Sequence, residues 1–218
     1  MLNNALFAFE GIDGCGKTTL VNAVAAALHA KGYQVSTTQE PWAEPIDPSL
    51  DPMEQVLRIS IDRLHHCRAI AATPGIVLTD RFFLSTMAYQ GTLYSDERKN
   101  SSLRRMIHAI NQQVAGTVRL SKIFWLSLPV DAAMERKPCE YSRGRLQQIA
   151  DIYAEEFGMA PWSYYQLGGR EPVEHLTKQV VRQIELRLQY DDGSMPDWVY
   201  RADKEKTTWD TVKPISGA

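Results

Sequence analysis

The chain has 218 residues, 44% of them hydrophobic and 23% charged, with a formal net charge of −2. That length suits one domain with a sizeable core, and the near-balanced charge excludes the sequence-wide positive field of a nucleic-acid or membrane-surface binder. Three scattered cysteines (Cys15, Cys67 and Cys139) without a CxxC pair exclude a disulfide framework and suit a reducing compartment.

Residues 5–9 (ALFAF) form a short apolar run ending at Glu10, the pattern of a strand buried on both faces. Helical spacing follows from 18 to 31, where Leu20, Val24, Ala27 and Leu28 share a face and Gly32 supplies the stop. Residues 33–38 read as a second strand, and the four prolines within 40–52 demand a loop. The helical period returns over 53–71. Residues 75–79 (GIVLT) predict a third strand closed by Asp80, and helices are expected over 82–89 and 102–114. Residues 122–128 (KIFWLSL) predict a fourth strand stopped by Pro129, with Asp131 as N-cap of a short helix. The polar, basic stretch 137–145 reads as a mobile loop. A helix over 146–157, a fifth strand over 162–167 and a closing helix over 172–188 complete the pattern, and the residues after about 190 form a tail without a period.

Strands alternating with helices predict an α/β three-layer sandwich around a five-stranded, mostly parallel sheet. Residues 1–190 would be one domain and 191–218 a C-terminal tail. Ligands of such sheets sit beyond the carboxyl ends of the strands. No run approaches the roughly 18 apolar residues of a spanning helix, and no signal-like segment is visible, so the expected partners exclude membranes and the expected location is the cytoplasm.

Gly11-Ile12-Asp13-Gly14-Cys15-Gly16-Lys17-Thr18 matches GxxxxGK[ST] at every fixed position, between a strand and a helix. Its glycines let successive N–H groups turn inward as an anion nest, beside a helix N-terminus. Lys17 supplies a charge for the β- and γ-phosphates of ATP, and the Thr18 hydroxyl can hold Mg2+, with Asp80 at the end of the third strand as the second metal-side group. Gly11, Asp13, Gly14, Cys15, Gly16, Lys17, Thr18 and Thr19 form the nucleotide cradle. This motif leaves the acceptor open, because switches, motors and transport ATPases share it.

Further residues narrow the choice. Phe9-Glu10-Gly11-Ile12-Asp13-Gly14-Cys15-Gly16-Lys17-Thr18-Thr19 resembles the FEGIDGxGKTT opening of thymidylate kinases, a family of P-loop nucleoside monophosphate kinases. Asp80-Arg81, then Ser85, then Ala88-Tyr89-Gln90-Gly91 resembles that family's DR…S..AYQG stretch; Asp62-Arg63 resembles its second DR, and Glu40-Pro41 echoes its TREP loop. The resemblance runs in order over roughly residues 5–188. It implies that Arg81 clamps the acceptor's 5′-phosphate with paired donors. Arg63 and Gln90 would read the pyrimidine edge, Tyr89 would pack under the sugar, and Asp13 would lie near the sugar and the transferring phosphate. Glu40, Ile59 and Ser85 fall in the same acceptor set. The loop from Arg136-Lys137 to Arg143-Gly144-Arg145 fits the family's lid, about 136–146. Arg143 and Arg145 are its expected phosphate contacts, offsetting charge in the transition state. The resemblance also implies a homodimer.

The pattern departs from the family at three places. Ile59 stands where a phenylalanine usually stacks on thymine, a contact of about 1–3 kcal/mol by analogy with base-stacking platforms. The TREPGG loop reads Thr38-Gln39-Glu40-Pro41-Trp42-Ala43, and the short lid lacks an acidic residue before its last arginine. The resemblance implies dTMP as the acceptor, and these departures suggest a pocket shaped for a modified or different pyrimidine, such as that of 5-hydroxymethyl-dUMP. A deoxynucleoside kinase acting on a free 5′-hydroxyl, and a P-loop regulatory ATPase, remain as alternatives, the latter without a guanine-reading NKxD motif. The five histidines show no ligand spacing; His65 and His66 are expected at the surface, and Trp125 in the core.

Overall fold

The apolar run near the start becomes β1 (Asn4–Glu10), buried along its whole length, in a computed structural model that describes residues 4–115, 118, 120–138, 141–159 and 163–189. The other strands are β2 (Val35–Gln39), β3 (Gly75–Asp80), β4 (Leu120–Ser127) and β5 (Tyr164–Gly168). All pair in parallel, in the order β2-β3-β1-β4-β5. A central strand has no solvated face, which is why β1 reads as a continuous apolar run instead of an alternating one. Phe7 and Phe9 of β1 lie 6.2 and 5.2 Å, centroid to centroid, from Phe124 of β4, at the middle of the core.

The helices are α1 (Lys17–Ala30), α2 (Pro52–Ala72), α3 (Phe83–Tyr89), α4 (Glu97–Ala115), α5 (Val130–Arg136), α6 (Arg143–Met159) and α7 (Val173–Gln189). The strand order fixes their faces. The β1-to-β2 connection moves one way along the sheet, while every later strand-to-strand connection moves the other way. Right-handed crossovers therefore put α1 on one face and α2 to α6 on the opposite one. The packing agrees: α1 lies on α7, whereas α2 meets α4, α4 meets α3 and α3 meets α6. Among the described residues no helix is long and apolar enough to cross a membrane.

The element boundaries differ from the sequence expectation in instructive places. Helix α4 starts at Glu97 instead of 102, because Asp96 accepts the Arg98 N–H at 2.9 Å and caps it. Pro129, not Asp131, occupies the cap position of α5, and Asp131 falls in its first turn. The expected basic loop is shorter than its composition suggests. Helix α6 already starts at Arg143, with Ser142 accepting from the Leu146 N–H through its carbonyl and from the Arg145 N–H through its hydroxyl. Trp125 is only partly buried; it stacks on Phe157 with centroids 4.6 Å apart. The expected tail, Cys139 and Trp162 lie outside the described residues.

Candidate active site

The parallel pairing of β1 with β3 sets Phe9 beside Asp80, so the loops after the two strands emerge side by side. The loop after β1 is Gly11–Gly16, closed by α1. Gly11, Gly14 and Gly16 all have positive φ. A Cβ on Gly11 would lie 2.6 Å from the Leu126 carbonyl oxygen, and one on Gly14 would collide with the Ala133 carbonyl. The loop is thus wedged between β4 and α5 and admits only glycine there. Lys17 is buried, and its Nζ donates to the carbonyls of Gly11 (2.9 Å) and Ile12 (3.0 Å). A cleft of about 720 Å3 opens above the loop, lined by residues 13–20 and reached by Arg136 and Lys137 from the end of α5.

Within this cleft, the Thr18 hydroxyl donates to Asp80 Oδ2. The other carboxylate oxygen, Asp80 Oδ1, is buried and makes no hydrogen bond. A hydroxyl and a carboxylate oxygen with open coordination form an all-oxygen donor pair that suits Mg2+, a hard cation that keeps several waters. Arg81 follows in the left-handed backbone region at φ 73°, rare for a side chain of its size. Its N–H donates to Phe9 O at 2.9 Å and its carbonyl accepts from the Thr79 hydroxyl at 2.8 Å, which fixes the strained turn. The turn aims the guanidinium at the phosphate loop: Nη2 donates to Asp13 Oδ1, and the group lies 4.7 Å from the centroid of the Tyr89 ring. The Tyr89 hydroxyl accepts from the Asp13 N–H at 2.9 Å. Burial pushes the Tyr89 phenol above its ordinary pKa, so it stays neutral.

A second, smaller pocket of about 250 Å3 adjoins the cleft, and Asp13, Glu40 and Arg81 line both. Ile59, Arg63, Ser85, Tyr89 and Gln90 line this pocket together with Pro41, Pro45, Ile46, Thr86 and Tyr141. Arg63 is only 1% exposed. Its Nε contacts both Glu40 oxygens at 3.0 Å, Nη2 donates to Glu40 Oε2 (2.6 Å) and to the Thr86 hydroxyl (2.7 Å), and Nη1 donates to Asn111 Oδ1 (2.6 Å). Most of its five donors are therefore spent inside the protein. His66, expected at the surface, is also 1% exposed; Nδ1 lies 3.3 Å from Glu40 Oε1 and Nε2 lies 2.8 Å from the Thr38 hydroxyl. Burial alone would push the Glu40 carboxyl up, but Arg63 and His66 outweigh it and hold the pKa below the ordinary value. Trp42 stacks on His66 and lines neither pocket.

Ser85 reaches the pocket through a network that its sequence position does not reveal. Glu10, fully buried at the end of β1, accepts from the Phe82 N–H (2.9 Å), the Ser85 hydroxyl (2.6 Å) and the Tyr153 hydroxyl (2.9 Å). At the other end of α3, a Cβ on Gly91 would collide with the Met87 carbonyl. Only glycine therefore permits the tight turn after Tyr89-Gln90.

The two expected lid arginines do not line the cleft. Arg143 pairs with Asp131 on the surface, Nε to Oδ1 at 2.6 Å. Arg145 points toward α3, donating to the carbonyls of Tyr89 and Thr92. Both fall in the first turn of a helix, where a cation is disfavoured beside the N–H groups and finds partners elsewhere. Arg136 and Lys137 supply the positive charge that faces the phosphate loop instead.

Comparison with known proteins gives a consistent result. The sequence model of the family described as thymidylate kinase matches residues 9–151. The chain is 33% identical over 187 residues to a probable thymidylate kinase of Sulfurisphaera tokodaii, covering 81% of this chain and 93% of that protein. It is 32% identical over 158 residues to a probable thymidylate kinase of Methanopyrus kandleri, covering 68% and 75%. A thymidylate kinase of Paracidovorax citrulli is 28% identical over 206 residues, covering 82% and 91%.

Proposed function

We propose that this chain, which belongs to the thymidylate kinase family, transfers the γ-phosphoryl group of MgATP to the 5′-monophosphate of a deoxypyrimidine nucleoside. The acceptor is dTMP or a modified analogue such as 5-hydroxymethyl-dUMP, and the product is the diphosphate. The observation that carries this reading is the position of Arg81. Its guanidinium stands where the two pockets meet, bonded to Asp13 of the phosphate loop and backed by the Tyr89 ring.

In this reading the larger cleft takes ATP. The inward N–H groups of the glycine loop and the start of α1 hold its phosphates. Lys17 rests on the carbonyls of Gly11 and Ile12, so its charge is compensated until a phosphate replaces them. Thr18 and Asp80 would hold Mg2+, which would supply positive charge against the phosphates. The smaller pocket takes the acceptor, with Arg81 clamping the 5′-phosphate. Tyr89 lies under the sugar, and Arg63 and Gln90 face the base. An oxygen of the acceptor phosphate attacks the γ-phosphorus while its bond to the β-phosphate bridging oxygen breaks, and ADP leaves. That nucleophile is already anionic, so no general base is needed. Placement and charge compensation carry the reaction. Arg136 and Lys137 add cationic charge over the phosphates.

The same position of Arg81 disfavours a free 5′-hydroxyl as acceptor, because the clamp would then have no phosphate to hold. The aliphatic and proline wall of Pro41, Pro45, Ile46 and Ile59 supports a pocket open to substituents at the pyrimidine edge. The family resemblance further supports a homodimer as the working form.

Steady-state assays with ATP and a panel of deoxynucleoside monophosphates, with free deoxynucleosides and no-acceptor controls, test this reading. ADP formation matched by deoxypyrimidine diphosphate is expected, with the highest kcat/KM among dTMP and its C5-modified analogues. ATP turnover that ignores the acceptor, or a preference for free nucleosides, would contradict it.

A further inference from the structure

The segment that precedes α6 and the first turn of that helix are expected, by resemblance, to serve the ATP phosphates. Their contacts point to the other pocket. The Tyr141 ring meets the Tyr89 ring edge-on, with centroids 5.7 Å apart and planes at 61°. Tyr141 lines the smaller pocket and does not line the cleft over the phosphate loop. Arg145, in the first turn of α6, donates to the carbonyls of Tyr89 and Thr92. Both groups thus converge on one residue, Tyr89, the first on its ring and the second on its backbone.

The physical case for Arg145 lies in the end of α3. The last carbonyls of a helix lack intrahelical partners and carry the negative end of its dipole, so a cation there is favoured. Arg104 gives the same turn a second donor, to Gly91 O at 3.0 Å. The opposite end of α3 is fixed by the Glu10 carboxylate, which accepts the N–H groups of Phe82 (2.9 Å) and Ser85 (3.3 Å). A seven-residue helix has little intrinsic stability. Clamped at one end by an anion and at the other by cations, α3 holds Ser85 and Tyr89 against the pocket. The case for Tyr141 is complementary. Helix α2 presents Ile59 to this pocket and offers no ring there, so among the described residues the aromatic side chains lining it are Tyr89 and Tyr141.

We propose that Tyr141 is a further acceptor-contacting side chain and that Arg145 is a positioning residue for Tyr89, so that this segment serves the acceptor nucleotide while Arg136 and Lys137 serve the phosphates of ATP. The inference rests on the functional reading above, which assigns the smaller pocket to the acceptor.

Its test is a kinetic split in the full-length protein, measured with ATP and dTMP varied separately. Tyr141→Ala is expected to raise the KM for dTMP roughly tenfold and leave the KM for ATP unchanged, while Tyr141→Phe, which keeps the ring, stays near wild type. Arg145→Gln should likewise raise the dTMP KM, and Arg145→Lys, which keeps a cation at the helix end, should recover most of the loss. Arg136→Gln and Lys137→Gln should change kcat and the ATP KM instead. Calorimetric titration of each variant with dTMP alone and with ATP alone gives a second readout, independent of turnover, and a thermal melt of each variant records that it is folded. An Arg145→Gln protein with a raised ATP KM or a collapsed kcat, but an unaltered dTMP KM, would overturn the assignment and return that arginine to the phosphates. Equal loss of ATP and dTMP affinity in Tyr141→Ala and Arg145→Gln would overturn it too. A wild type that phosphorylates no monophosphate would overturn the functional reading itself, and the inference with it.

Discussion

The two pockets differ in how their floors are built. The floor of the larger cleft is one continuous stretch, the loop of residues 11–16 and the start of α1, with glycine geometry and backbone N–H groups as its working parts, and residues from β2, β3, β4, α5 and the β5–α7 region only wall it in. The smaller pocket draws on the 40–46 loop, α2, the β3–α3 turn, α3 and the segment before α6. One is a local solution to binding a polyphosphate, and any chain with that loop can reuse it. The other exists only when those segments pack correctly against one another and against Asp13 of the phosphate loop, and its selectivity depends on contacts between side chains distant in sequence. Arg81 belongs to both, because parallel pairing of β1 and β3 places the end of one strand beside the loop of the other.

Substitutions that separate the two pockets sharpen this contrast. Lys17→Ala removes the cation that the proposed reaction sets against the transferring group, and should lower kcat by on the order of 10²–10³ with every acceptor, by analogy with removal of one oxyanion-stabilising donor. Arg81→Ala should cost roughly 10² in kcat/KM for the monophosphate while ATP affinity, measured by titration, stays intact. Parallel losses of both substrates in Arg81→Ala would break the comparison. Arg63→Leu acts through the fold: it strands Glu40 and the Asn111 side chain in the interior, and removing one partner of a buried ion pair costs about 3–5 kcal/mol. A large drop in Tm is therefore expected beside any kinetic effect. The smallest effect belongs to Glu156 on α6, outside both pockets, whose carboxyl is pushed up to about 7 by burial and by the neighbouring Glu155. The folded state holds that proton more tightly than the unfolded chain, so stability is lost as pH rises from the ordinary carboxylate range through 7. Glu156→Gln should raise Tm at pH 8, change it little at pH 5, and leave both KM values alone. Thermal melts across pH and kinetics at one pH check it.

The cradle could be read from the sequence because its chemistry is periodic and local. GxxxxGK[ST] after an apolar strand specifies the geometry of Gly11, Gly14 and Gly16, and β1, α1 and β3 follow from short-range patterning. The placement of Asp80 beside Thr18 and of Arg81 beside Asp13 follows once β1 and β3 are neighbours. Other features carry no such mark. Arg63 reads equally well as a surface or a pocket residue, and its burial depends on Glu40, Thr86 and Asn111, each more than 20 residues away. His66 looks like a solvated histidine until Glu40 and Thr38 fold against it. Glu10 reads as the end of a strand, and nothing local announces that it anchors α3 through Ser85 and Tyr153. The basic stretch after Pro138 suggests phosphate contacts by composition alone. Only the early start of α6 turns Arg143 to Asp131 and Arg145 to α3. Asp96 was the one available signal for the true start of α4.

The central claim is that two phosphate-binding pockets share one wall at Arg81, so the most direct measurement uses a ligand that spans them. A compound joining adenosine and thymidine 5′-positions through five phosphates should inhibit competitively against both ATP and dTMP, and should bind far more weakly to Arg81→Ala than to wild type. Competition against ATP alone, with Arg81→Ala binding as tightly as wild type, would contradict the shared wall.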